Sequence, residues 1–174
     1  MSVTYREARK GDVAEMARIR AVEWGDEEYW KKRLAGYMER EIDPQKALKP
    51  RRLYVAVEGE AVLGFVAGHL TRRYECDGEL EWINVAAERR GKGIADELLR
   101  LLAEWFTAQK ALRICVDVEP KNMVARKFYR RHGAEEMNSH WMVWKDIRVV
   151  SDSPRSVWPP SKVNTVRKKE DGID

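Results

Sequence analysis

The stretch Glu79-Leu-Glu-Trp-Ile-Asn-Val-Ala-Ala-Glu-Arg-Arg-Gly-Lys-Gly-Ile-Ala-Asp-Glu-Leu-Leu99 dictates a strand, a basic glycine-bearing loop and a helix in direct succession. Apolar residues from Leu80 to Val85 mark the strand. The stripe Ile94, Leu98, Leu101, Leu102 and Trp105 marks a helix reaching about Gln109. The first amides of a helix have no carbonyl partner within it, so they present N–H groups and the positive end of the helix dipole, where phosphate is a natural ligand. Gly91 and Gly93 permit close backbone approach, and Arg89, Arg90 and Lys92 add charge. The alternative is an ordinary polar connection between strand and helix. Neither G-x-x-x-x-G-K-[ST] nor G-x-G-x-x-G is present, which argues against a P-loop or a dinucleotide fingerprint.

The strand changes phase. Leu80 and Trp82 share one face of a regular strand, whereas Ile83 and Val85 share the other. Either an extra residue is absorbed near 82–84 as a β-bulge, which would free backbone polar groups, or Trp82 lies on an opposite face that is also buried.

Working outward, Val3 to Arg6 predicts an edge strand. Asp12 reads as an N-cap with Glu15 completing a capping box, ahead of an amphipathic helix to about Trp24. A second helix is expected from near Asp26, and Pro44 and Pro50 bracket a loop. A hairpin is expected from Leu53, Val55 and Val57, a turn at Glu58-Gly-Glu60, and Val62 to Leu70. Leu112–Val118 predicts a dense apolar strand in which Cys115 is buried. Asn122 caps a helix whose buried side holds Val124, Ala125 and Phe128, and Gly133 closes it. Trp141–Val150 predicts a last strand. The order β, α, α, β, β, β, α, β, α, β indicates an α/β domain over residues 1–150 with a mixed, mostly antiparallel sheet and about four helices. From Ser151, prolines and charges dominate, so 151–174 reads as a tail that is disordered or docks on a neighbour.

The chain has 174 residues, 44% of them hydrophobic, and 33 Lys+Arg against 29 Asp+Glu give a net charge of +4. That suffices for one domain with a real core and excludes a fibrous or largely disordered chain. No apolar run nears the ~20 residues that cross a bilayer, and the opening residues lack the apolar segment of a secretion signal. Cys76 and Cys115 are too few for a disulfide framework or zinc site, so a reducing, cytoplasmic location is expected. His69, His132 and His140 are scattered, and no metal is expected. Interspersed acids argue against nucleic acid as a partner.

Three motifs together resemble the GNAT superfamily of N-acetyltransferases. Arg90-x-x-Gly93-x-Ala95 is similar to its R/Q-x-x-G-x-G/A signature, Glu79–Val85 to its bulged fourth strand, and Asn122-x-x-Ala125-x-x-Phe128-Tyr129-x-x-x-Gly133 to a later helix. Arg6-x-Ala8 and Asp12-Val13 resemble its opening strand and helix. Together they cover residues 3–148. Ala95 stands where Gly is more usual, and Ala134 where an aromatic commonly follows the glycine.

The resemblance implies a sheet splayed after the fourth strand and transfer of an acetyl group from acetyl-CoA to a small-molecule or peptide amine. It implies a diphosphate on the amides of Arg90, Gly91, Lys92, Gly93, Ile94 and Ala95. The pantetheine arm would lie along Ile83, Asn84 and Val85, with Asn122 reaching it from across the splay. An ammonium must lose a proton before attacking a thioester, and the departing thiolate gains from an acid. Tyr129 is the candidate acid, with Phe128 expected to take the buried position and leave Tyr129 facing the cleft; its other role is a core aromatic. Glu79 and Glu81, two apart on one strand face, are candidate bases, as is Asp117 within its apolar strand. Trp24, Tyr29, Trp30, Tyr37, Tyr74 and Trp141 are candidate walls for the acceptor. A non-catalytic acyl-CoA-sensing module is the alternative function. The oligomeric state, a homodimer included, stays open.

Overall fold

The structure is a computed structural model that describes residues 2–152 and the backbone of 164–165. Its elements run β1 (Thr4–Glu7), α1 (Val13–Trp24), α2 (Glu27–Met38), β2 (Ala47–Glu58), β3 (Ala61–Thr71), β4 (Gly78–Val85), α3 (Ile94–Ala108), β5 (Ile114–Asp117), α4 (Met123–Arg131), β6 (Glu135–Glu136), β7 (Trp141–Trp144), α5 (Arg148–Asp152) and β8 (Asn164–Thr165). Seven strands form one sheet in the order β6-β7-β5-β4-β3-β2-β1, and the two residues of β8 extend it beyond β1. Pairing is antiparallel except for β4 with β5 and β1 with β8. The mixed, mostly antiparallel architecture expected from the sequence is present.

Each face of the sheet is covered. On one, α3 sends Leu98, Leu99, Leu102 and Phe106 against Leu63, Val66 and Leu80, with Tyr129, Met142 and Trp144 completing the layer. On the other, Met16 and Ala17 of α1 and Trp30, Leu34 and Tyr37 of α2 pack on Val55, Phe65, Ala67 and Trp82. Cys115 and Cys76 are buried free thiols, packed with Trp141 and Val143.

Several local expectations are corrected. Asp12 does not cap α1: its carboxylate takes a bidentate bond from Arg6 (2.8 and 2.9 Å) and one from the Arg9 amide (2.7 Å). Glu15 instead accepts from the Val62 amide at 2.7 Å, tying α1 to β3. Pro50 lies within β2, not in a loop, at a register irregularity between Ala47 and Arg51. The last strand stops at Trp144, because Asp146 accepts from the Arg148 amide at 3.0 Å and turns the chain into α5. α5 reaches two residues into the expected tail, where Arg100 donates to the Ser151 carbonyl at 2.8 Å. The rest of the 151–174 segment, β8 apart, lies outside the described residues.

Packing is close where α3 crosses β4. A Cβ added at Gly78 would sit 2.5 Å from Phe106 and 2.9 Å from Ile114. Neither ring nor branched chain has room to yield in a filled core. Gly78→Ala is expected to lower stability by about 1–3 kcal/mol, read as a fall in the denaturation midpoint.

Candidate active site

The β3–β4 ladder pairs Ala67 with Trp82 and Gly68 with Leu80, leaving Glu81 with no residue opposite. This is the bulge anticipated from the phase change, placed at Glu81 rather than at 82–84. It reconciles both alternatives. Leu80, Ile83 and Val85 all pack on the α3 face, while Trp82 is buried on the α1–α2 face. Beyond the bulge the sheet opens, because β5 pairs with β4 only from Gly78 to Leu80. Residues 81–85 of β4 are laddered to β3 alone.

At the end of this opening lies a cavity of about 740 Å³ lined by Val85, Arg89, Arg90, Gly91, Gly93, Ile94, Ala95, Asp96, Phe128 and Arg131. Gly91 and Gly93 have φ of +75° and +82°, the left-handed region where glycine is favoured. A Cβ at Gly91 would meet nothing within 4 Å, so the backbone is open to the cavity. No side chain caps α3, and its ladder begins with the Glu97 amide donating to Gly93 O at 3.1 Å. The amides before Glu97 have no helical carbonyl to bond.

The sequence-derived loop residues Arg90, Gly91, Gly93, Ile94 and Ala95 thus converge with Val85. Lys92 is exposed and not among the lining residues, nor are Ile83, Asn84 and Asn122. Asn122 instead caps α4 by accepting from the Ala125 amide at 3.1 Å. The cavity's cations are held by acids: Arg89 by Glu58 (3.0 Å), Arg90 by Glu23 (2.6 Å) and Arg131 by Asp96 (2.8 Å). The hydrogen bond to His132 and the Arg131 charge keep the Asp96 carboxyl below its usual range. Arg131, Asp96 and Phe128 carried no signal outside the helix motifs, because their meeting depends on α4 packing beside α3.

Tyr129 and Phe128 exchange the expected places. Tyr129 is buried, edge-on to Trp144, and Phe128 lines the cavity. The Tyr129 hydroxyl nonetheless feels the charge of Arg20, which extends from α1 on the opposite face of the sheet. Burial keeps the phenol protonated well beyond neutrality. Arg20 donates to Asn84 Oδ1 at 2.9 Å, so Asn84 is engaged on the α1 side of β4.

Glu79 and Glu81 converge as their spacing predicted, and the structure adds His69, which β3 places directly opposite Glu79. His69 Nε2 lies 3.4 Å from Glu79 and Nδ1 lies 3.9 Å from Glu81. Tyr37 Oη is 3.0 Å from Nδ1. Burial pulls the imidazole down to about 4, so it is neutral at pH 7. Burial, then the hydrogen bond and charge of Glu79, push Glu81 up to about 8. The Glu79 carboxyl is raised by burial, against the hydrogen bond with Glu81 and then the charge of Arg73, 3.2 Å away. Of the two, Glu81 has the more accessible side chain, 16% against 5%. The donor atoms of His69, Glu79 and Glu81 all lie within 4.8 Å of one another, a spacing a cation could bridge, though Arg73 contends for the same carboxylate. Asp117, expected in the apolar interior, is exposed at the end of β5. Among the expected acceptor walls, Trp24, Tyr29 and Tyr74 are exposed, whereas Trp30, Tyr37 and Trp141 are core residues.

The Acetyltransferase (GNAT) family profile matches residues 14–134. The chain belongs to this GNAT family. Comparison with curated proteins gives no match. Among solved structures, Ard1 from Thermoplasma volcanium superimposes with a TM-score of 0.65 at 18% identity, over 84% of this chain and 98% of that one. PaiA N-acetyltransferase from Thermoplasma acidophilum, in complex with coenzyme A, gives 0.62 at 20%, over 84% and 99%. Ribosomal-protein-alanine N-acetyltransferase from Brucella melitensis gives 0.59 at 21%, over 80% and 95%. At these identities the likeness is one of fold. The GNAT family uses acetyl-CoA, and this GNAT chain fits its diphosphate: the backbone at Gly91 is open, α3 is uncapped, and three arginines line the cavity. Among the described residues no helix is long and apolar enough to cross a membrane.

The acid cluster links stability to pH. Glu81 titrates at about 8 in the fold against 4.5 as its ordinary value. Its neutral form therefore favours folding; that contribution is complete below pH 4.5 and is lost as pH rises through 8. Glu81→Gln stays neutral throughout. Its melting temperature relative to the natural chain is expected to rise between pH 5 and pH 8; a constant difference would contradict the shift.

Proposed function

We propose that this protein transfers an acetyl group from acetyl-CoA to a primary amine by direct attack within a ternary complex. The observation that supports the proposal is that β4, which carries the candidate base Glu81, loses its β5 partner after Leu80 and leads to the cavity at the uncapped start of α3. The amides of residues 91–95 and Arg90 hold the diphosphate, and the unladdered edge of Ile83 to Val85 holds the extended arm. Acetyl-CoA, when bound, supplies an acyl carbon whose bond to sulfur breaks as the bond to the amine nitrogen forms.

Glu81 takes the proton that the acceptor ammonium must shed. An amine with pKa near 10.4 is poorly deprotonated in water at pH 7, and a base titrating near the working pH combines availability with strength. Glu79 steadies that base: Arg73 favours its ionised form, and its hydrogen bond with Glu81 holds the carboxyls together. His69 is neutral, shares a hydrogen bond between Nδ1 and the Tyr37 hydroxyl, and places Nε2 3.4 Å from Glu79. Tyr129 holds its proton at Oη for the departing sulfur. Free β4 amides stabilise negative charge on the carbonyl oxygen.

Thiol release from acetyl-CoA over a panel of amines and peptides tests this. We expect amine-dependent release whose rate rises with pH through about 8. Glu81→Gln is expected to lose on the order of a hundredfold in kcat and the pH rise with it. Tyr129→Phe is expected to lower kcat with coenzyme A affinity retained. Coenzyme A binding with no release from any amine would instead indicate a binding module.

A further inference from the structure

Arg20 has an unusual position for a cation. Its guanidinium carbon lies 5.2 Å from the Trp24 ring centroid and 4.8 Å from that of Trp30. Nη1 is committed to Asn84 Oδ1 at 2.9 Å. Nε is buried and has no hydrogen-bond partner, and Nη2 donates to no acceptor among the described residues. No carboxylate lies within ion-pair distance of Arg20 among the described residues: the nearby Glu23 is paired with Arg90, and Glu81 is held largely neutral at pH 7. A buried donor without a partner carries a desolvation cost that a ligand would relieve.

The free atoms have a shape. With Nη1 occupied, Nε and Nη2 form the side-on edge of the guanidinium, two parallel N–H groups matched to the two oxygens of a carboxylate. That edge belongs to the same neighbourhood as the reacting groups, because Arg20 interacts electrostatically with both Tyr129 and Glu81. A second arginine, Arg33, lies 5.8 Å over the Trp82 ring and also acts on Glu81. The α1–α2 side of the proposed base therefore offers two arginines stacked on indoles, with Trp24 and Tyr29 exposed nearby.

We infer that, given the acetyl transfer proposed above, the acceptor is an amine that also carries a carboxylate, bound by the Nε–Nη2 edge of Arg20 while its nitrogen faces Glu81. Free α-amino acids have this chemistry, and amines lacking an acid do not. The single charge of one guanidinium balances a carboxylate but leaves a doubly charged phosphate under-neutralised.

Matched acceptors test the inference. Thiol release would be compared for phenylalanine against phenethylamine, leucine against isoamylamine, and lysine against cadaverine, with phosphoethanolamine as the phosphate arm. We expect kcat/KM to favour the amino acid by about tenfold or more in each accepted pair. Arg20→Gln should remove that preference while leaving coenzyme A binding in place, and Arg20→Lys should retain part of it. Calorimetry of N-acetylphenylalanine against N-acetylphenethylamine on the coenzyme A-loaded protein should show the same preference without turnover. Equal use of the paired amines, a stronger response to phosphoethanolamine, or a preference that survives Arg20→Gln would overturn the inference and leave the acetyl transfer standing. Coenzyme A binding without release from any amine would remove both. If Arg20→Gln fails to fold, the natural chain's paired comparison decides alone.

Discussion

Glu81 has no residue opposite it on β3, and the remainder of the site depends on that single mismatch. One unpaired residue rotates everything that follows by half a strand period, so Ile83 and Val85 join Leu80 under α3 while Trp82 meets the aromatic layer of α1 and α2. The same mismatch bends β4 away from β5 after Leu80, which leaves an unladdered edge. At the same place the Glu81 carboxyl lies 3.9 Å from His69 Nδ1, and Nε2 of that ring lies 3.4 Å from Glu79. A fold stabilised by two cores thus leaves β4 without its β5 partner from Glu81 to Val85, with a titratable group at the start of that segment.

Electrostatics then assign the parts. Two carboxyls and an imidazole within a few ångströms cannot all be charged in a low-dielectric interior. Arg73 favours charge on Glu79, burial strips it from His69, and Glu81 is left holding a proton near neutrality. At the far end of that segment the balance is opposite. There the cations Arg89, Arg90 and Arg131 are each held by an acid, and the backbone amides supply the unspent positive end.

Much of this was legible in the sequence because it depends on local rules. The α3 stripe, the glycine loop and the phase change in β4 are each set by neighbours within a few residues. What was not legible depended on contacts distant in sequence. Asp12 has every mark of a cap, but Arg6 supplies a stronger, bidentate partner. Tyr129 and Phe128 are adjacent on α4, so periodicity could not decide which turns inward until Trp144 of β7 packed against Tyr129. His69 gave no signal alone, since its meaning comes from the β3–β4 register. Arg20 reads as one more helix-surface cation until Asn84 and two indoles enclose it.

The central claim is that main-chain amides at the start of α3 hold a diphosphate whose attached arm runs along the open edge of β4. Calorimetric titration of the folded protein with coenzyme A and, separately, with pantetheine tests it most directly. The account predicts saturable binding of coenzyme A, far weaker binding of pantetheine, which lacks the diphosphate, and loss of the difference in Gly93→Asp. Equal affinity for the two compounds, or no heat from millimolar coenzyme A, would contradict it.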